Sequence, residues 1–218
     1  EDGRKHGKPS ENIIVDNCTV YKGHGGFVVG SEMSGGAKNI VVSNCQFLGT
    51  DVGLRFKSKR GRGGVVEKIY ISNVSMIDIA TEPIHFNLYY GGKSAVEDLE
   101  EGATVTHQEE LPAVDETTPT FKDIFIKNVY CSNARKAMYF YGLPEHNIDN
   151  IQIEDVTIHS TFGAELRESE NIVLKNVNIY PEKGEAVMLG NVKNVQVENF
   201  ETSKDIPSVI SVSGSKTD

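Results

Sequence analysis

Hydrophobic and polar residues follow a short pattern that returns along the whole chain. In residues 13–20, apolar residues occupy the first, third, sixth and eighth places, and the amide of Asn17 occupies the fifth. Successive copies lie 21 to 29 residues apart, except for one interval of 55. Repeats at such a period indicate a solenoid. The other copies begin at Ile40, Ile69, Ile124, Ile151, Ile172 and Val195.

The spacing inside each copy indicates the kind of solenoid. Apolar residues two apart predict a strand with one face inward, and the step from the third to the sixth place requires a bend. Asn and Asp suit that bend because they tolerate left-handed backbone. We therefore predict an all-β fold: one right-handed parallel β-helix of about seven coils over residues 1–218, with the bend amides stacked as a ladder.

Two features concern the extent of this helix. The interval of 55 residues predicts one coil plus an acidic insertion at residues 91–119, which is either a solvated surface loop or a wall beside a cleft. Residues 1–10 are polar and encode no cap before the first repeat. Because an open β-helix end exposes backbone and apolar groups, we expect the chain to be a C-terminal portion of a longer β-helix.

Composition narrows the possible partners. The net charge of −9 argues against nucleic acid and anionic membranes, and no apolar run is long enough for a membrane span. Cys18, Cys45 and Cys131 fall on inward places, where they act as small hydrophobic residues, although a Cys18–Cys45 disulfide stays possible. No histidine or cysteine cluster has ligand spacing, so we predict no metal site and no cofactor. The sequence does not indicate an oligomeric state.

Alternation in the second strand of each coil predicts a cationic surface. Leu54 and Phe56 should face inward, so Arg55 and Lys57 face outward, where two adjacent cations suit a carboxylate or phosphate. Taken singly, these residues also fit a solvated strand face or turn positions. His24 and Asp51 each lie eleven residues after the start of their repeats, at Ile13 and Ile40. They should therefore stack on neighbouring coils beside this strand. The predicted band contains His24, Asp51, Arg55, Lys57, His85, Asn87 and Tyr89.

At these residues the chain resembles a known family. Gly23-His24-Gly25, followed one coil later by Gly53-Leu54-Arg55-Phe56-Lys57, is similar to the Gly-His-Gly and Arg-Ile-Lys motifs of the polygalacturonases of glycoside hydrolase family 28. Phe56 replaces the isoleucine at an inward position. Members of this family are parallel β-helix enzymes that hydrolyse α-1,4-galacturonan, the acidic backbone of pectin. The resemblance covers nearly the whole chain as the later coils of that fold.

The resemblance implies roles for several residues. His24 would help to position the catalytic acid, Arg55 and Lys57 would bind a galacturonate carboxylate, and Tyr89 or Tyr90 would contact substrate. The family hydrolyses its substrate with inversion, which needs one carboxylic acid and a second carboxylate to activate water. The resemblance also implies a polysaccharide substrate and a secreted or periplasmic location.

The family's catalytic carboxylates lie in Asn-Thr-Asp and Gly-Asp-Asp motifs before Gly-His-Gly, and this chain contains neither motif. Asp51 is the nearest substitute, but one carboxylate cannot act as both acid and base. We therefore expect this chain to supply substrate-binding coils and to have no hydrolytic activity by itself. The alternatives are a non-catalytic galacturonan-binding β-helix, a polysaccharide lyase, or a structural or adhesive solenoid.

Overall fold

The structure, a computed structural model, describes residues 2–90 and 111–214. Most of these residues lie in strands that pair in parallel within one ten-stranded sheet. The longest strands continue through bends, so each covers more than one wall of the solenoid. In chain order the elements are α1 Asp2–His6, β1 Ser10–Asp16, β2 Thr19–Tyr21, β3 Phe27–Gly30, β4 Ala37–Leu48, β5 Leu54–Lys57, β6 Val65–Ile79, β7 Ile84–Asn87, β8 Thr120–Tyr141, β9 Ile148–Thr202 and β10 Ile210–Ser213.

The register between coils follows the sequence repeat. Ile13 pairs with Ile40, Ile40 with Ile69, Ile69 with Ile124 and Ile124 with Ile151. Ile69 and Ile124, which are 55 residues apart, therefore lie on adjacent coils. The chain forms a right-handed parallel β-helix of about seven coils. Residues 91–110 of the predicted insertion lie outside the described residues.

The bend at the fifth place of each repeat has left-handed backbone. All seven residues at this place have φ between 51° and 56°. Their side chains form the predicted ladder: Asn73 Nδ2 donates to Asn44 Oδ1 at 3.1 Å, and Asn128 Nδ2 donates to Asn73 Oδ1 at 2.8 Å. Asp155 has no donor to extend this ladder, but it accepts from Asn176 at 2.8 Å and starts a second one. These bonds satisfy polar groups where the strands turn.

Inward side chains from all walls fill the centre of the solenoid. Leu54, Phe56, Ile84 and Phe86 are completely buried, as the alternation predicted. The rings of Phe56 and Phe86 stack with centroids 4.5 Å apart. This burial fixes which side chains of β5 and β7 face solvent, because neighbours in a strand point to opposite sides.

The three cysteines do not all share the predicted inward environment. Cys45 and Cys131 are buried, and burial raises the pKa of the Cys131 thiol to about 12. Cys18 is exposed, because among the described strands the first coil is covered on one side only, by β4. All three are free thiols, with no disulfide between Cys18 and Cys45.

The single described helix, α1, has five residues, and no helix in the described ranges is long and apolar enough to cross a membrane.

Replacing Asn73 tests whether the bend residues set the register. Asn73→Ala removes two side-chain hydrogen bonds and places at φ 56° a residue that tolerates left-handed backbone less well than Asn, so we expect the free energy of unfolding to fall by about 1–3 kcal/mol. Asn73→Gly loses the same bonds without the backbone penalty and should be about 1 kcal/mol less damaging. Urea unfolding measures both, with the exposed Ser75→Ala on the same strand as control. Equal losses for the two Asn73 variants would show that left-handed backbone is not the reason for the amide.

Candidate functional site

The outward side chains of β5 and β7 lie beside each other on one wall. Arg55 pairs in register with His85, and Lys57 pairs with Asn87. On the coil before, Val28 and Gly30 hold the same register positions, so small side chains leave space beside the two cations. We call this wall the trough and define it by His24, Asp51, Arg55, Lys57, His85, Asn87 and Tyr90.

His24 lies between a carboxylate and a guanidinium at the edge of the trough. Its Nδ1 lies 2.6 Å from Asp51 Oδ2, and its Nε2 lies 2.7 Å from the Nη1 of Arg55. Because a guanidinium only donates, Nε2 accepts and the ring proton lies on Nδ1, which donates to Asp51. Gly25 permits this local path, since a Cβ there would lie 2.4 Å from the side chain of Val28.

Arg55 and Lys57 are the two cations at the centre of the trough. The Lys57 Nζ lies 4.4 Å from the centroid of the Tyr90 ring, and the Arg55 guanidinium lies 5.8 Å from it. Neither cation forms an ion pair with a carboxylate within residues 2–90 and 111–214. The arrangement presents positive charge next to an aromatic ring, which suits an anion with an apolar face.

Tyr89 does not follow the alternation predicted for it. β7 ends at Asn87, whose Oδ1 accepts a hydrogen bond from the Tyr89 backbone N–H at 2.7 Å, so the chain turns there. The Tyr89 ring packs on Tyr141, with centroids 5.2 Å apart, and under the Arg60 guanidinium. Of the two tyrosines considered from the sequence, Tyr90 is therefore the one that contacts Arg55 and Lys57.

Arg60 lies in the turn that follows β5, and its charge is paired. Its guanidinium donates two hydrogen bonds to Glu145, at 2.5 and 2.7 Å, and the Glu145 side chain is only 5% exposed. Burial raises the pKa of Glu145, but the hydrogen bonds from Arg60, a backbone hydrogen bond and the nearby positive charge together more than offset this, so its pKa lies below the usual value. This ion pair holds Tyr89 in place.

His85 is oriented by a buried carboxylate that the sequence analysis did not identify. Its Nδ1 lies 3.0 Å from Glu82 Oε2, and Glu82 is 6% exposed. Burial raises the pKa of Glu82, but its contacts with His85 and Arg135 more than offset this, so the pKa lies below its usual value. Glu82 therefore stays ionised and fixes the imidazole toward the trough.

The next two coils extend the trough with further groups that the sequence analysis missed. Tyr139 and Tyr141 continue the register positions of His85 and Asn87, and their rings stack 5.5 Å apart. Glu165 lies between Lys136 and Arg167, with 2.6 Å to the Arg167 Nε. Extending the same alternation to residues 137–141 would have placed both tyrosines on this wall.

Glu165 is a paired carboxylate like Glu82. Burial raises its pKa, but the hydrogen bonds and positive charges of Lys136 and Arg167 together more than offset this, so the pKa of Glu165 lies below its usual value. Among the described residues, no three histidine, cysteine or acidic side chains come close enough together to hold a metal ion.

Fold and trough together define a β-helix protein with a charged wall parallel to its axis. A model of the glycosyl hydrolases family 28 matches residues 5–177, and the chain belongs to this family.

Several proteins similar to this chain are named as polygalacturonases. The chain is 24% identical to a probable polygalacturonase of Vitis vinifera, over 73% of this chain and 29% of that protein. It is 26% identical to a polygalacturonase of Ralstonia solanacearum, over 72% of this chain and 27% of that protein. The solved structure of a hyperthermoactive exopolygalacturonase from Thermotoga maritima matches 90% of this chain and 36% of that one, at 27% identity and a TM-score of 0.60. The chain thus spans less than a third of the two curated relatives.

The hydrogen bonds at His24 predict its tautomer. In 15N NMR spectra, we expect the proton on Nδ1 and an unprotonated Nε2. Arg55→Ala removes the donor to Nε2 and should increase the fraction with the proton on Nε2. Lys57→Ala is the matched control and should leave the ring unchanged. A wild-type ring protonated on Nε2 would contradict the geometry.

The Arg60–Glu145 pair predicts a pH-dependent contribution to stability. Glu145→Gln should lower the free energy of unfolding by about 1–2 kcal/mol at about pH 7, because the partly solvated guanidinium loses its ionic partner. A lowered carboxyl pKa stabilises the folded state above the unfolded pKa of about 4.3, and this stabilisation is lost as the pH falls through the folded pKa. The gap between wild type and variant should therefore shrink in acid.

Urea unfolding across this pH range measures that gap. Glu11→Gln, which breaks an exposed pair with Lys38, is the control and should cost less than about 0.5 kcal/mol. A Glu145→Gln difference that stays constant down to about pH 3 would refute the linkage.

Proposed function

We propose that this chain supplies substrate-binding coils of a hydrolase that cleaves α-1,4-galacturonan with inversion. Arg55 and Lys57 bind the carboxylate of a galacturonate residue, Tyr90 packs on the sugar, and His85 and Asn87 contact its hydroxyl groups. His24 is a positioning residue next to the scissile bond. The whole protein acts outside the cytoplasm, in a secreted or periplasmic setting, where pectin is accessible.

One observation carries this proposal. Arg55 and Lys57 lie side by side on an outward strand face, against the Tyr90 ring, without a carboxylate partner in the described ranges. In a chain with a net charge of −9, a pair of cations without a carboxylate ion-pair partner favours an anionic ligand. A guanidinium binds a carboxylate through two parallel hydrogen bonds, and the ammonium adds a third donor.

The relatives support a uronate rather than a phosphate as the anion. Both curated relatives are named polygalacturonases, and the Thermotoga maritima structure is an exopolygalacturonase. A galacturonate residue combines a carboxylate with a sugar ring that can pack on an aromatic side chain. Arg55 and Lys57 beside Tyr90 match both halves of such a residue.

The described carboxylates of the trough favour binding over proton transfer. A general acid needs a raised pKa, whereas the pKa values of Glu82 and Glu165 lie below the usual value. Asp51 accepts the hydrogen bond of His24. The same observation favours the second candidate function, a galacturonan-binding β-helix without catalysis, for which no acid is needed.

Binding of trigalacturonate, measured by calorimetry, tests the proposal. Arg55→Ala removes a charge-assisted pair of hydrogen bonds and should weaken binding by about 10- to 100-fold. Lys175→Ala is the matched control, because Lys175 lies on another wall, 3.9 Å from Glu154, and should have no effect. Neutral galacto-oligosaccharides should not bind. Failure of the wild-type chain to bind trigalacturonate would overturn the proposal.

An assay of reducing-end release separates the two candidate functions. We expect no hydrolysis of polygalacturonate by the purified chain, although it binds the polymer. Turnover that disappears in Asp51→Asn would show that the acid lies in this chain and would contradict the positioning role of His24.

A further inference from the structure

A second groove lies on the same side of the solenoid, further along its axis. It has a volume of about 260 Å³ and opens between the side chains of three successive coils. We call it the distal groove and define it by Arg135, Lys136, Phe162, Lys183, Glu185 and Met188.

Backbone hydrogen bonds connect the distal groove to the trough. The Thr81 N–H donates to the Asp51 carbonyl at 2.8 Å, and the Arg135 N–H donates to the Thr81 carbonyl at 3.1 Å. Arg135 thus continues the line of stacked residues that begins at His24 and Asp51. Lys136 pairs in register with Phe162 on the following coil. One further coil leads to Lys183, about four strand spacings or 19 Å from Asp51.

The distal groove carries two cations that are available to a ligand. Lys183 is exposed and forms no ion pair with any described residue. The Arg135 side chain is 59% exposed, and its one carboxylate neighbour, Glu82, is 3.8 Å away and already bound to His85. Lys136 is neutralised by Glu165, and Glu185 is the one carboxylate among the lining residues. Counting Arg135 and Lys183 against Glu185, the lining of the distal groove carries a net positive charge.

Apolar side chains complete the lining. Phe162 is 42% exposed and Met188 is 37% exposed, so both present apolar surface to the groove. A groove with an exposed aromatic ring, a thioether and two exposed cations has the lining of a ligand site for an anion with an apolar face. The trough has the same combination in Arg55, Lys57 and Tyr90.

We propose that the distal groove is a second carboxylate subsite for the same uronate polysaccharide. A chain bound at Arg55 and Lys57 runs along the helix axis, and a later uronate residue places its carboxylate between Arg135 and Lys183 and its sugar ring on Phe162. This inference rests on the function proposed for the trough. It adds that the protein prefers long polymer segments, because the second contact forms at a high effective concentration.

Oligomers of two lengths distinguish the subsites. Digalacturonate reaches the trough alone, whereas octagalacturonate is long enough to reach the distal groove. Calorimetry on the wild-type chain should show octagalacturonate binding at least about ten-fold more tightly. Lys183→Glu should weaken octagalacturonate binding by about five- to twenty-fold and leave digalacturonate binding unchanged. Phe162→Ala should weaken the same long ligand selectively.

Lys175→Glu is the matched control, since it makes the same change of charge in the same coil on another wall. It should change neither affinity. The inference is overturned if Lys183→Glu leaves octagalacturonate binding unchanged, if it weakens both oligomers equally, or if Lys175→Glu has the same effect. In these cases digalacturonate binding that still depends on Arg55 leaves the proposed function standing. Absence of binding of either oligomer to the wild-type chain overturns both.

Discussion

The parallel register between successive coils is the constraint on which the rest of the structure depends. Each backbone hydrogen bond between coils places a residue of one repeat directly beside its counterpart in the next, so Arg55 lies beside His85 and His85 lies beside Tyr139. A slip of one residue would turn Arg55 into the core and Phe56 into the trough. The left-handed bend amides oppose such a slip, because only Asn, Asp and Gly adopt this backbone at low cost.

The same register organises the charges. Carboxylates within the described part of this wall are placed beside a basic partner: Asp51 beside His24, Glu82 beside His85, and Glu165 between Lys136 and Arg167. Pairing lowers the pKa of Glu82 and Glu165 and keeps them ionised, so they serve to hold their basic neighbours in position. Arg55 and Lys57 have no such carboxylate partner among the described residues, and these are the cations to which the proposed function assigns the ligand.

Sequence patterns predicted the parts of the site that follow from strand alternation. The outward positions of Arg55, Lys57 and His85, and the stacking of His24 on Asp51, needed only the repeat and the two-residue period. The position of Tyr89 was predicted wrongly because β7 ends two residues earlier, where the Asn87 side chain accepts a hydrogen bond from the Tyr89 N–H and the chain turns. Glu145 was not predictable either, because its contact with Arg60 joins two turns that lie 85 residues apart in the chain and follow no repeat. Periodicity determines strand faces but not the conformations of turns.

These differences bear on what the described coils can do. A hydrolytic site needs a carboxyl group that can hold a proton near neutral pH, and such groups occur where a carboxyl is buried without a cation. Glu82 and Glu165 are buried, but each has a basic partner that reverses the effect of burial on its pKa. Glu145 has Arg60 in the same role. Burial paired with a basic neighbour therefore keeps these three carboxylates ionised, whereas Arg55 and Lys57 have no carboxylate ion-pair partner among the described residues. This contrast is why the function proposed above assigns substrate binding to these coils.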